Sequence, residues 1–237
     1  MNAIAITRDQ SRQADRRAVE NYGMSGLVLM ENAGRGTADV LCARLARDRQ
    51  SSDTSVGPVA ICCGKGNNAG DGFVVARHLD LRGYEVRVLV WAEPSELTGD
   101  AGVNFNIIDK AGLPIEVLGN RHDSARLARR LAGVSWIVDA LLGTGARGEP
   151  RAPLDSVIDQ LNAAPAPKLA VDLPSGLDCD TGEAAQHTVR AAETCTFVAM
   201  KRGFLAPGAG QYTGRVHVLD IGAPRRLLEE ILAAATG

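Results

Sequence analysis

The sequence predicts an α/β protein: a Rossmann-like, three-layer α/β/α fold around a mainly parallel sheet, with two added N-terminal helices. Three observations carry that reading. Seven short apolar runs recur along the chain, at 59–63, 86–91, 115–118, 136–142, 169–173, 195–200 and 216–221. Helix-like amphipathic segments separate most of them, at 72–82, 99–111, 124–132 and 155–161. Three of the runs open into loops rich in glycine or in Asp and Ser. Short β-rich runs alternating with helices imply parallel strands whose crossovers cover both faces of one sheet.

The remaining elements follow in order. Ser11–Asn21 and Gly26–Arg47 read as two amphipathic helices, and a polar break follows at Gln50–Ser55. The last two apolar runs have no clear helix between them, which leaves room for an antiparallel edge. No internal repeat, low-complexity tract or long linker divides the chain, so residues 1–237 read as one domain.

Composition narrows the function classes. The chain is 45% hydrophobic and 23% charged, with only 4% aromatic residues, so Leu, Val, Ile and Ala fill the core. A formal charge of −2 gives no electrostatic footprint for nucleic acid. The basic clusters at Arg126–Arg130 and Arg225–Arg226 read as solvated helix faces. Five scattered cysteines form no C-x-x-C pair and read as buried thiols, not as a disulfide or zinc framework. The four histidines are equally dispersed. With no apolar leader or membrane span in view, the expected location is the cytoplasm.

In a doubly wound sheet, ligands bind beyond the carboxyl ends of the strands. Three loops there stand out. Gly64–Asp71 reads GKGNNAGD, Asp139–Arg151 reads DALLGTGARGEPR, and Val171–Gly182 reads VDLPSGLDCDTG. Taken singly, each has a structural reading in tight turns and helix caps, though for Asp139, at the end of an apolar strand, function leads. Their convergence on one edge of a parallel sheet points to a site.

Backbone N–H groups around Gly64–Gly70, at a helix start, can hold a pyrophosphate, and Gly143–Gly148 offers a second cradle. Asp71 would repel that anion unless a ribose hydroxyl or a cation occupies it. The Asn68 amide oxygen, the Asp139 carboxylate and the Ser175 hydroxyl are hard oxygen donors suited to an alkali or alkaline-earth cation. A carboxylate at the end of an apolar strand, as at Asp139, is costly unless a cation or donors satisfy it. A P-loop is excluded, because Gly64–Lys65–Gly66 lacks the G-K-[ST] ending. A nicotinamide-dependent oxidoreductase is the rival reading, with Glu93 on a ribose, but no acid for hydride transfer is evident.

The segments LMENAG (29–34), GKGNNAGDG (64–72), ARHL (76–79), VDALLGTG (138–145) and VDLPSGLDCDTG (171–182) resemble the motif series of the NAD(P)H-hydrate epimerase family, also called the YjeF N-terminal domain. TCTFVAMKRG (194–203) and GRVHVLDIG (214–222) extend the likeness over nearly the whole chain. Ala69 stands where the family usually has glycine, and its methyl would restrict a left-handed backbone. The resemblance implies a homodimer that interconverts the R and S forms of NADH or NADPH hydrated at nicotinamide C6 (NADHX and NADPHX). It implies substrate contacts from Asn67, Asn68, Ala69, Gly70 and Asp71, from Gly143, Thr144, Gly145, Ala146, Arg147, Gly148 and Glu149, and from Asp172. It further implies a potassium ion held by Asn68, Asp139 and Ser175.

Epimerisation at a hemiaminal carbon needs a proton moved on or off one oxygen and no redox partner. One positioned carboxylate suffices, and Asp172 is the candidate catalytic residue. Met30–Asn32 reads as packing or a dimer contact, His78 as structural, Lys201 as a surface lysine, and Asp178 and Asp180 as turn formers. A dehydratase that removes the hydrate is expected as a separate protein. The alternative of the same fold is a non-catalytic dimeric scaffold, against which the polar loop residues Asn68, Asp139, Asp172 and Ser175 weigh.

Overall fold

Strand β1 (Ala5–Ile6) leads directly into helix α1 (Arg8–Tyr22) in the structure, a computed structural model that describes residues 4–51 and 56–235. Thr7 and Gln10 cap α1 reciprocally, each side chain accepting from the other's backbone N–H, which satisfies two amides that a helix start leaves unpaired. Helix α2 (Gly26–Ser51) runs past the expected end at Arg47 and absorbs Gln50 and Ser51. The rest of the expected polar break lies outside the described residues.

The alternation then unfolds as the periodicity implies. Strands β2 (Val59–Cys63), β3 (Val86–Val90), β4 (Ile115–Val117), β5 (Trp136–Ala140) and β6 (Lys168–Val171) are linked in turn by α3 (Asn67–Leu81), α4 (Gly99–Lys110), α5 (Ser124–Leu131) and α6 (Leu154–Ala163). The chain closes with β7 (Glu193–Phe197), β8 (Met200–Lys201), α7 (Gly210–Thr213), β9 (Arg215–Leu219) and α8 (Arg225–Ala233). Among the described residues, no helix is long and apolar enough to cross a membrane.

Seven strands form one sheet in the order β4-β3-β2-β5-β6-β7-β9, and every pairing in it is parallel. The antiparallel edge does not occur. After β7 the chain makes β8, which pairs with β1 in a separate two-stranded sheet, and returns through a 3-10 turn and α7 before β9 starts. That excursion replaces the missing crossover helix, so β9 runs parallel to β7.

Strand residues sort to two faces by their period of two. Val59, Ile61 and Cys63 pack with Val88, Val138 and residues of α2, α3 and α4, including Leu41, Phe73 and Ile108. Ala60, Cys62 and Ile137 face the other way, onto Leu127 and Leu131 of α5 and Ile158 and Leu161 of α6. A third cluster joins Ile6, Ala14 and Ala18 to Leu227 and Ile231, so the N-terminal helix is anchored by α8.

The chain winds outward from β2 to β4, then reverses to place β5 on the other side of β2. The loops after β2 and β5 therefore flank the switch in strand order, where a crevice opens. Backbones approach closely there: Gly64 N donates to Ala140 O at 3.1 Å, and a Cβ on Gly64 would lie 2.2 Å from Leu141 O. Close approach also binds α3 to the sheet, since a Cβ on Gly72 would meet Ala140 Cβ at 2.7 Å and Cys63 Sγ at 2.9 Å.

Two glycines of one motif thus have opposite expected sensitivities. Gly72→Val overpacks the helix–sheet contact and should destabilise the protein by about 1–3 kcal/mol or more. Gly66 has φ −91° and no atom within 4 Å of an added Cβ, so Gly66→Val should stay within roughly 1 kcal/mol of the parent. Urea denaturation of both variants reads this directly, and equal losses would contradict it.

Candidate functional site

A cleft of about 980 Å³ opens at the carboxyl ends of the strands, lined by residues 64–68, Asp71, 141–154 and Asp172, with α1 and α2 as its outer wall. The three loops singled out by sequence meet here. Gly66 precedes α3 in extended conformation and offers no side-chain cap, so the first amides of the helix face the cleft without an intrahelical partner. Asn67 is exposed and Asn68 is buried. Ala69 is fully buried in the core and helical, not left-handed, so its methyl restricts nothing. Neither Ala69 nor Gly70 lines the cleft. Gly70 serves packing: a Cβ there would lie 2.5 Å from Met30 Sδ on α2.

One hydrogen-bonded chain ties the loops together. Asp139 is fully buried near the end of β5. Its Oδ1 accepts from Ser175 Oγ at 2.7 Å and from Leu141 N at 3.2 Å, and its Oδ2 accepts from Ser175 N at 2.8 Å. Ser175 Oγ in turn accepts from Leu142 N at 2.9 Å, while Asn68 Nδ2 donates to Leu142 O at 3.0 Å. The Asn68 carboxamide oxygen is buried and has no hydrogen-bond partner. A buried acceptor without a donor calls for explanation, and an unseen ion is one. Burial lifts Asp139 to about 6, against the pull of the Ser175 and Leu141 donors.

Asp172 follows β6 with φ +67°, one of two left-handed non-glycine residues among those described. Such a conformation costs of order 1–3 kcal/mol and clusters at functional sites. Asp172 N donates to Cys195 O at 2.7 Å, which pins the backbone, and Oδ2 accepts from Thr144 N at 2.8 Å. Gly143 packs so near that a Cβ would sit 3.0 Å from Asp172 Oδ2.

Lys201 is a correction. Far from being a surface lysine, its side chain is completely buried, donating to Phe197 O at 2.8 Å with Asp172 Oδ1 3.6 Å away. Val198, the other left-handed residue, lies in the turn between β7 and β8 that precedes Lys201. An ionisable residue directly after an apolar run was the available signal, the same one that marks Asp139.

Two further residues escaped the sequence reading. Arg8, 2% exposed, donates to Thr144 O at 2.5 Å, to Ala146 O, and to Asp178 Oδ2 at 2.9 Å. It clamps the second glycine loop from below, so Asp178 and Asp180 do more than turn the chain: Asp180 Oδ1 accepts from Arg8 N. Asp15 on α1 lines the cleft and is lifted to about 6 by burial and by Asp172, with Lys201 opposing. Neither has a spacing cue, because each acts through distant segments.

Asp71 is buried, and burial together with Asp172 and Asp15 pushes it well above the carboxylate range. That upward shift weakens the anion repulsion expected of Asp71. Gly143–Glu149 lie along the cleft wall, with Glu149 fixed by Gln186 N at 3.0 Å. Glu31 on α2 accepts from Arg77 and contacts His78 Nε2 at 2.7 Å, a helix–helix tie that gives His78 its structural role.

Comparison with known proteins places this architecture. The family described as YjeF-related protein N-terminus matches residues 26–203, and the chain belongs to it. A Pirellula staleyi protein named NAD(P)H-hydrate epimerase is 47% identical over 224 residues, covering 94% of this chain and 95% of that one. Its namesake from Rhodopirellula baltica is 44% identical, covering 95% of this chain and 87% of that one. A bifunctional NAD(P)H-hydrate repair enzyme from Pyrobaculum aerophilum is 42% identical, with 93% of this chain matching 42% of the longer protein. In fold, the yeast protein ynu0 superposes with a TM-score of 0.81 at 24% identity, covering 96% of this chain and 93% of its own.

The Arg8 clamp has a consequence independent of any ligand. Arg8→Met leaves Asp178 and the loop carbonyls without their cation and should cost more than about 2 kcal/mol in stability. Hydrogen exchange should also quicken at Ala146 N, whose turn bond to Gly143 O is 2.9 Å. Unchanged exchange in residues 143–149 would show that the loop holds itself.

Proposed function

We propose that the protein is an isomerase that interconverts the R and S forms of hydrated NADH and NADPH at nicotinamide C6, a repair reaction on the damaged coenzyme. One observation carries this reading: two backbone cradles and a strained, cleft-facing Asp172 share a single crevice at the strand switch. The relatives named NAD(P)H-hydrate epimerase, matched along nearly their whole length, support it.

The open start of α3 and the Gly143–Glu149 loop hold the dinucleotide through backbone N–H groups. Asp71, its carboxyl pushed upward by burial and by Asp172 and Asp15, lines the cleft beside the substrate's oxygens. Asp172 exchanges a proton with the C6 hydroxyl, and Thr144 N and Lys201 hold its carboxylate in place meanwhile. Whether C6 loses hydroxide or the ring opens, the oxygen at C6 must gain or lose one proton, and no electrons leave the substrate.

A potassium ion fits beside the crevice. Asn68 Oδ1, Asp139 and Ser175 would hold it, and the orphaned amide oxygen of Asn68 is the observation in its favour. When bound, the ion offsets the Asp139 charge next to an anionic substrate. A homodimer belongs to the proposal, with Val28, Val103 and Ile107 as exposed apolar side chains on α2 and α4. So does a dehydratase activity that consumes the epimerised hydrate. Five free thiols, four of them buried, suit the reducing cytoplasm proposed as its setting.

The decisive assay mixes purified protein with the R-hydrate and a dehydratase specific for the S form. Recovery of NADH absorbance is expected, and its absence would overturn the proposal. Asp172→Asn suits the left-handed backbone at φ +67° and removes the proton acceptor. It should lower kcat by roughly 10²-fold or more while sparing affinity. Near-normal turnover would pass the proton transfer to another group.

The cation is tested by melting. Potassium should raise Tm above that in sodium at equal ionic strength, as a ligand of the native state does. Asp139→Asn should lose that increment. A parent that melts identically in both salts would contradict the cation site.

A further inference from the structure

Asp15 lines the cleft with Asp71 and Asp172, interacts electrostatically with both, and has no role in the reading above. It lies on α1, outside the sheet, whereas Asp172 stands at the end of β6. Both open onto the same cavity. The charged groups that face Asp15 are Asp71 from α3, Asp172 from the β6 loop and Lys201 from β8, with Arg12 and Arg16 of its own helix also along the cleft. Their arrangement is asymmetric. Asp172 has Lys201 Nζ 3.6 Å from its Oδ1 and accepts from Thr144 N at 2.8 Å. Asp15 is exposed to the cleft and has no hydrogen bond to satisfy its charge.

We propose that Asp15 is a second proton-transfer carboxyl of the epimerisation, paired with Asp172 across the nicotinamide site. The proposal rests on the hydrate reading of the cleft. Protonated Asp15 gives its proton to the C6 hydroxyl. The C6–O bond breaks, its electron pair leaves with the oxygen as water, and the N1 lone pair forms the C6=N1 bond of an iminium. Water then adds to the opposite face of C6. Its electron pair makes the new C6–O bond, the C6=N1 pair returns to nitrogen, and Asp172 takes the released proton. Transfer of that proton to Asp15 through water restores the starting state, so atoms and charge balance without a redox partner. In the reverse direction the two carboxyls exchange roles.

The surrounding cleft walls raise the Asp15 carboxyl to about 6 although the residue stays open to solvent through the cleft mouth, and the charge of Asp172 adds to this against Lys201. A carboxyl shifted upward in a cavity it shares with a second carboxyl is suited to give a proton. Because Asp15 acts in its protonated form, kcat/KM should fall as pH rises through the pKa of Asp15 in the free protein.

The test compares parent, Asp15→Asn and Asp15→Glu in the hydrate assay across pH, with substrate affinity measured separately. Asp15→Asn should lower kcat by about 10²-fold, leave KM within about threefold, and abolish the alkaline limb near pH 6. Asp15→Glu keeps the titrating group and should recover part of the rate and the limb. If Asp15→Asn retains kcat within about twofold of an active parent, the proposal is overturned. Equal losses in both variants, with the limb intact, likewise overturn it and make Asp15 structural. A parent that does not interconvert the hydrates at all sinks the hydrate reading itself, a result distinct from either.

Discussion

A fully buried carboxylate, Asp139, is the point on which the site depends. Unpaired, it would cost several kcal/mol. The chain meets that cost with donors from other loops: Ser175 gives both its hydroxyl and its N–H, and Leu141 gives its N–H. Satisfying one charge therefore draws the β6 loop onto the β5 loop. Leu142 passes the connection on to Asn68 and so to the start of α3. Three segments far apart in sequence hold one geometry because a single strand-end acid demands partners.

Around that junction the cleft gathers charge of mixed state. Asp71 and Asp15 are raised, and Lys201 sits beneath them with Asp172 at 3.6 Å. Concentrating carboxyls in a confined, low-dielectric space separates their proton affinities, and such separation is what proton-transfer chemistry uses. Asp172 there has a left-handed backbone, its N–H held by Cys195 O on the neighbouring strand. Strain is tolerated there because the surrounding sheet leaves the residue no alternative.

Much of this was legible in the residues. The seven strands and the three converging loops follow from apolar periodicity and from the rule that parallel sheets bind ligands at their carboxyl ends. Asp139 was legible because an acid ending an apolar run needs a reason. What escaped depends on long-range partners. Arg8 reaches Thr144 and Ala146, and Asp15 comes to the cleft only because α1 packs on α8. The start of α3 was hidden by glycines with low helix propensity that are retained for packing, Gly70 on Met30 and Gly72 on Ala140. The parallel β9 depended on β8 leaving the main sheet for β1, which a two-residue strand does not announce.

The unpartnered oxygen of Asn68, beside Asp139 and Ser175, is where the junction meets its ligand chemistry. Anomalous diffraction from crystals soaked in thallium(I), a potassium mimic, addresses it directly. A strong peak in direct contact with Asn68 Oδ1 and with oxygens of Asp139 and Ser175 is the expected result. A water-filled or empty junction, with thallium bound only at surface carboxylates, would contradict the cation and leave Asn68 as an unexplained buried acceptor.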